Sequence, residues 1–150
     1  MDTKRQGANE ELEKAVEKAV DFHGHLGPFL VIGIRMGVIG LRELEVKKGD
    51  PKLHVAMTTK PSVPFSCTID GIQAITRCTV GNRKLNLQDS SGDISAKFQL
   101  SDGKTTTVTL NPGKQEELET LISMHVSSQE LEGIARNIIL ASESELFKIE

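Results

Sequence analysis

The sequence predicts an α+β fold in which a small antiparallel or mixed sheet packs against helices. Three observations support this prediction: apolar residues recur at helical spacing towards both ends of the chain, they alternate at period two in its middle, and turn-forming residues separate these segments. The chain has 150 residues, of which 37% are hydrophobic and 26% charged, as in ordinary globular proteins. We therefore expect a single domain over residues 1–150, with an ordered core.

Two helices are expected in the N-terminal part of the chain. Apolar residues at helical spacing predict the first from Asn9 to about Phe22. Gly27 and Pro28 should then interrupt the chain and start the second helix, which runs to about Leu44, because proline is suited to the first helical position. This second helix carries three glycines spaced three or four residues apart, Gly33, Gly37 and Gly40. They predict close backbone packing, either against a sheet or against a helix of a second copy.

The remainder of the chain alternates between predicted strands and helices. Residues 53–58 have the period-two pattern of a strand, and a proline-containing loop then leads to a short helix over residues 68–76. Residues 84–88, 94–100 and 104–110 predict three short strands, which we expect to form a meander with residues 94–100 as its exposed edge. Two further helices are predicted over residues 114–125 and 129–141, the latter capped by Ser127 and Glu130.

Composition argues against several classes of function. With 18 basic and 21 acidic residues and no basic cluster, nucleic acid is not an expected partner. The N-terminus lacks the pattern of a secretory signal, and the most apolar stretch, residues 26–41, is too short to span a bilayer. The two cysteines, Cys67 and Cys78, match neither a disulfide scaffold nor a zinc knuckle. We expect reduced thiols and a cytoplasmic protein without membrane contact.

The candidate chemistry lies at His23, His25 and Cys67. Glycine between two histidines allows both imidazoles to project to one side, which makes chelation of a metal easy, although the pair can also simply cap a helix end. Cys67 lies at a predicted helix start, where the dipole favours a thiolate suited to metal binding or nucleophilic attack; a small buried packing residue is the alternative. Because Cys67 follows a proline-containing loop, it should be held more rigidly than either histidine.

Three segments together resemble the FmdE-like family of formylmethanofuran dehydrogenase proteins: Phe-His-Gly-His-Leu-Gly-Pro at 22–28, Cys-Thr-Ile-Asp-Gly-Ile-Gln at 67–73, and Cys-Thr-Val-Gly-Asn at 78–82. The resemblance implies that His23, His25 and Cys67 hold a divalent metal, with zinc the expected ion because imidazole and thiolate are ligands it prefers. Asp70 and the loop at Thr79 should lie nearby.

The chain departs from the family pattern in three places. Gly27 replaces a cysteine, Phe29 replaces a glycine, and no cysteine follows Cys78, so we expect no cysteine-rich zinc-finger tail. The first departure removes one soft metal ligand.

The resemblance implies a metal-binding protein that is accessory to a molybdenum or tungsten oxidoreductase of the formylmethanofuran dehydrogenase type, in one-carbon metabolism. One alternative is a thiol-dependent enzyme in which Cys67 is the nucleophile and His25 the base. Another is a non-catalytic structural subunit, so whether the chain is an enzyme stays open. The expected partners are oxidoreductase subunits and a second copy of the chain, which would form a homodimer through an exposed strand edge.

Overall fold

A computed structural model describes residues 3–150 and, within the first ten residues, the side chains of residues 7 and 10. The helices are α1 (Thr3–His23), α2 (Pro28–Glu43), α3 (Cys67–Thr76), α4 (Pro112–Ser123), α5 (Ser128–Leu140) and α6 (Glu143–Leu146). The strands are β1 (Leu53–Thr59), β2 (Leu85–Asp89), β3 (Ser95–Leu100), β4 (Thr105–Leu110) and β5 (Phe147–Ile149). Helices and a five-stranded mixed sheet confirm the predicted α+β class.

The strands form one sheet in the order β2-β1-β3-β4-β5. β1 pairs in parallel with β2, and the other neighbours pair antiparallel. The predicted meander was therefore wrong: β1 inserts between β2 and β3, because the chain passes through α3 and returns to the far side of β1. The predicted exposed edge was also wrong, since β3 pairs on both sides, and β2 and β5 form the edges.

One face of the sheet is buried under the helices, and the other is polar. On β1 and β3 the buried side chains alternate with exposed ones, as expected for a sheet that is covered on one face. The inward side chains of the two strands, which include Leu53, Met57 and Phe98, are fully buried. They provide the floor on which α2 lies.

α2 is the central helix, and its glycines explain how it packs. A methyl group at Gly33 would overlap the backbone of Thr68 in α3, and one at Gly40 would overlap the ring of Phe98 in β3. Gly71 of α3 makes the reciprocal close approach to the backbone of α2. The glycines therefore pack within the chain, against α3 and the sheet, and the close crossing places the start of α3 beside the start of α2.

The C-terminal third agrees with the predicted pair of helices and adds a short ending. The Ser127 hydroxyl accepts a hydrogen bond from the Glu130 amide at 3.1 Å, which confirms the cap of α5. α6 and β5 were not predicted, because segments of four and three residues are too short to show a periodic pattern. Within residues 3–150, no helix combines the length and hydrophobicity that a membrane span requires.

Candidate functional site

A cavity of about 440 Å³ opens where α1 ends and where α2, α3 and α5 begin. His23, His25 and Cys67 all line it, so the fold brings the three predicted site residues to one place. Most of the remaining wall is apolar, and it includes Phe29 from α2 and Leu131 from α5. The volume is in the range of pockets that bind small molecules.

His23 is the most firmly held of the three. It ends α1, and its Nδ1 donates a hydrogen bond of 2.6 Å to Oδ2 of Asp70 in the first turn of α3. The side chain is 11% exposed, and its other ring nitrogen, Nε2, is buried without a hydrogen-bond partner among the described residues. With Nδ1 carrying the proton, Nε2 of the neutral ring presents a free lone pair. The expectation that both histidines would be loosely oriented was wrong for His23.

His25 is exposed, in contrast to His23. Gly24 between them has a φ of +110°, a conformation that favours glycine, and the two imidazole rings lie 4.8 Å apart between centroids. The His25 ring lies along Gly27, with Nε2 3.6 Å from the point that a Cβ at that position would occupy. A cysteine at position 27, as in the family pattern, would therefore stand directly beside His25.

Cys67 begins α3 as predicted, but its ionisation differs from the expectation. Burial raises the pKa of the Cys67 thiol, and the negative charge of Asp70 raises it further. The helix start offers little compensation, because the amides of residues 67–69 already donate to the carbonyls of residues 64–66. In the metal-free protein the thiol form is therefore favoured over the thiolate.

The three side chains share a cavity without forming a finished metal site. Among residues 3–150, no three histidine, cysteine or acidic side chains are close enough together to hold a metal ion. The donor types suit zinc, and the unpaired Nε2 of His23 offers a fixed first ligand. The exposed His25 would have to turn towards it for the set to assemble.

Two contributors to the site carried no usable sequence signal. Asp70 lies 47 residues from its partner His23, and only the fold makes it an orienting group. The outer wall comes from the end of α4 and the start of α5, through Ile122, Val126 and Leu131, whose apolar character the sequence attributes equally well to the core.

The second cysteine lies in a different environment. Cys78 is buried, its thiol donates to the Leu53 carbonyl at 3.4 Å, and burial raises its pKa. It leads into a turn in which Thr79 and Asn82 hydrogen bond each other's backbone amides, both at 3.0 Å. The turn predicted here is confirmed, although Gly81 is not among the residues with positive φ.

Comparison with known proteins identifies the family. A family model described as "FmdE, Molybdenum formylmethanofuran dehydrogenase operon" matches residues 22–148. The chain belongs to the FmdE family. A protein of Archaeoglobus fulgidus described as "Probable S-adenosyl-L-methionine-binding protein" is 33% identical to it over 101 residues, or 67% of this chain. The aligned segment covers 27% of that relative, so this FmdE chain spans about a quarter of its length.

Proposed function

We propose that this FmdE protein binds a divalent metal ion, zinc in the first instance, at the cavity formed by His23, His25 and Cys67. The observation that carries the proposal is the state of His23, whose Nδ1 is held by Asp70 while its buried Nε2 has no partner among the described residues. A histidine that ligates a metal through one nitrogen usually donates its other N–H to a carboxylate. A buried nitrogen without a partner is unfavourable until a metal or a donor reaches it.

His25 and Cys67 complete the proposed ligand set for different reasons. His25 is exposed and follows a glycine, so its ring can turn with little steric cost. Cys67 is half-buried on the same cavity, and coordination would release its proton, because the thiolate is the metal-binding form. Bound zinc would supply Lewis-acid polarisation of a ligand's oxygen atom. The residues themselves orient the ion and keep one side of it against an apolar wall.

Metal content tests the proposal. Protein purified without a metal-affinity column should contain close to one equivalent of zinc or another transition metal, and removal by a chelator should lower the melting temperature, since a ligand that binds only the folded state stabilises it. Less than about 0.1 equivalent, with no thermal shift on adding zinc, would contradict metal binding. The Asn82→Ala variant, altered only in the Cys78 turn, is the matched control for nonspecific metal.

The family supports a role beside a formylmethanofuran dehydrogenase-type oxidoreductase, since its description names the molybdenum formylmethanofuran dehydrogenase operon. We propose that the protein is cytoplasmic and accessory to such an enzyme, whose subunits are its partners. Co-purification of a tagged copy with molybdenum or tungsten enzyme subunits is expected in its native host. The metal-site variant His23→Ala should show whether the association needs the metal.

A second candidate function is binding of an organic small molecule, favoured by the size and apolar wall of the cavity. The printed name of the Archaeoglobus fulgidus relative suggests S-adenosyl-L-methionine as the first compound to titrate. The thiol-enzyme alternative has less support, because burial and Asp70 raise the pKa of the Cys67 thiol, whereas an activated nucleophile needs it lowered.

We also propose a homodimer, with the contact moved from β3 to the unpaired edge of β2. β2 exposes most of its residues, and Leu87 is 48% exposed. An edge of this kind can pair with the same edge of a second copy. Sedimentation should give twice the 16.4 kDa chain mass, and Leu87→Lys should shift the protein towards monomer.

A further inference from the structure

The first turn of α2 meets the cavity with unpaired backbone amides. Gly27, Pro28, Phe29 and Leu30 all line the cavity, and the cap residue Gly27 has no side chain to accept a hydrogen bond. The amides of Phe29 and Leu30 have no acceptor among the described residues, although these two residues are 1% and 0% exposed. Buried amides of this kind are normally paired, with protein, water or a ligand.

The other two helices that begin at the cavity differ from α2 in this respect. The first amides of α3 donate to the carbonyls of residues 64–66. In α5, the Ser127 hydroxyl accepts from the Glu130 amide. Of the three helix starts, α2 is therefore the one that keeps buried donors for a ligand.

A second, independent feature of the cavity also indicates a ligand. The His23 side chain, which lines the same cavity and is 11% exposed, has a buried Nε2 without a partner among the described residues. Unpaired donors at the start of α2 and an unpaired acceptor at the end of α1 are thus buried around one space. A ligand that fills this space must offer acceptor atoms on the α2 side.

The charge of the lining limits the type of acceptor. No lysine or arginine is among the described residues that line the cavity, and Glu132 at its exposed side is acidic. A helix start provides about half a positive charge, which suits a singly charged group better than a phosphate dianion. Apolar side chains such as Leu26, Ile122 and Leu131 form the rest of the wall.

We propose that the cavity binds a monocarboxylate with an apolar body, whose carboxylate accepts hydrogen bonds from the Phe29 and Leu30 amides. The inference rests on the proposed function in that both use this cavity, but the carboxylate contacts are to backbone amides and do not require the metal. Binding measured in the presence of EDTA therefore tests it separately from metal binding.

Four compounds with the same eight-carbon body separate the possible head groups: octanoate, 1-octanol, octylamine and octyl phosphate. Calorimetric titration of metal-free protein should give octanoate an affinity about tenfold higher than that of 1-octanol, with octylamine weaker than both. Octyl phosphate should bind no more tightly than octanoate. The proposal is overturned if octanoate binds no better than 1-octanol, or if either octylamine or octyl phosphate is the tightest of the four.

The Gly27→Asp variant tests the position of the carboxylate. Gly27 has φ −140° and ψ 161°, the extended conformation of a helix cap, so an aspartate there should accept from the amides of α2 and stabilise the helix. The preference for octanoate over 1-octanol should disappear while the melting temperature is unchanged or higher. Gly27→Ala, which adds no acceptor and makes only ordinary contact with His25, should keep the preference. A preference of about tenfold that survives in Gly27→Asp contradicts the proposed site.

Discussion

The two cysteine motifs of this FmdE chain lead into regions that treat their polar groups in opposite ways. In the turn after Cys78, the Asn82 side chain bonds the amides of Thr79 and Lys84 and the carbonyl of Arg77, so the turn is closed by its own side chains. In the cavity beside Cys67, by contrast, buried groups on His23 and at the start of α2 have no partner among the described residues. The first arrangement is that of a structural turn, and the second is that of a binding site.

The largest effect is expected from removing the anchored histidine. His23→Ala should lower zinc affinity by more than about a hundredfold, because loss of an orienting group alone costs tenfold to a hundredfold and this change removes the ligand itself. Competition with a chromogenic chelator measures the affinity. Asp70→Asn, which keeps the ligand but weakens its support, should fall between His23→Ala and the parent.

Asn82→Ala, in the other region, should leave zinc affinity unchanged. Equal losses of zinc affinity in Asn82→Ala and His23→Ala would show that the two regions do not differ in the way described.

A stability effect should appear in the Cys78 turn. Asn82→Ala removes three side-chain hydrogen bonds and should lower the free energy of unfolding by about 1–2 kcal/mol, a modest value because water can replace some of these bonds in an exposed turn. Urea denaturation measures it. Asn82→Asp keeps the accepting oxygen and loses the donor to Arg77, so it should be less destabilised. A fully stable Asn82→Ala would mean that the turn is held by other contacts.

The smallest effect concerns the pH dependence of the thiols in metal-free protein. Since burial and Asp70 raise the pKa of Cys67, the rate of its labelling by iodoacetamide should rise with pH through a midpoint above about 8.5. Asp70→Asn should move the midpoint down, because a charge that opposes the thiolate is gone. Buried Cys78 should remain unlabelled until the protein unfolds. A Cys67 midpoint below about 8.5 would instead favour an activated nucleophile.

The elements that could be predicted from sequence were those with local signals. Helical periodicity identified α1, proline identified the start of α2, and alternation identified β1. The strand order could not be predicted, because the passage of the chain through α3 back to β1 depends on contacts distant in sequence. For the same reason the glycines of α2 indicated close packing without identifying α3 as the partner.

The candidate site was predictable as a set of residues but not as an arrangement. The motifs placed His23, His25 and Cys67 at one site, and all three line the cavity. They did not indicate that Asp70 fixes His23, that His25 is exposed, or that the carbonyls before Cys67 occupy the amides of its helix start. These properties depend on tertiary contacts, and they reverse the expected order of rigidity between His23 and Cys67.

Anomalous diffraction at the zinc edge, from crystals of protein that has been stripped of metal and reconstituted with one equivalent of zinc, tests the central claim most directly. We expect a single strong peak about 2.0–2.1 Å from Nε2 of His23, with the bond from Nδ1 to Asp70 retained. The absence of a peak in the cavity, or a peak bound elsewhere while Nε2 stays without zinc, would contradict the assignment of His23 as the metal anchor.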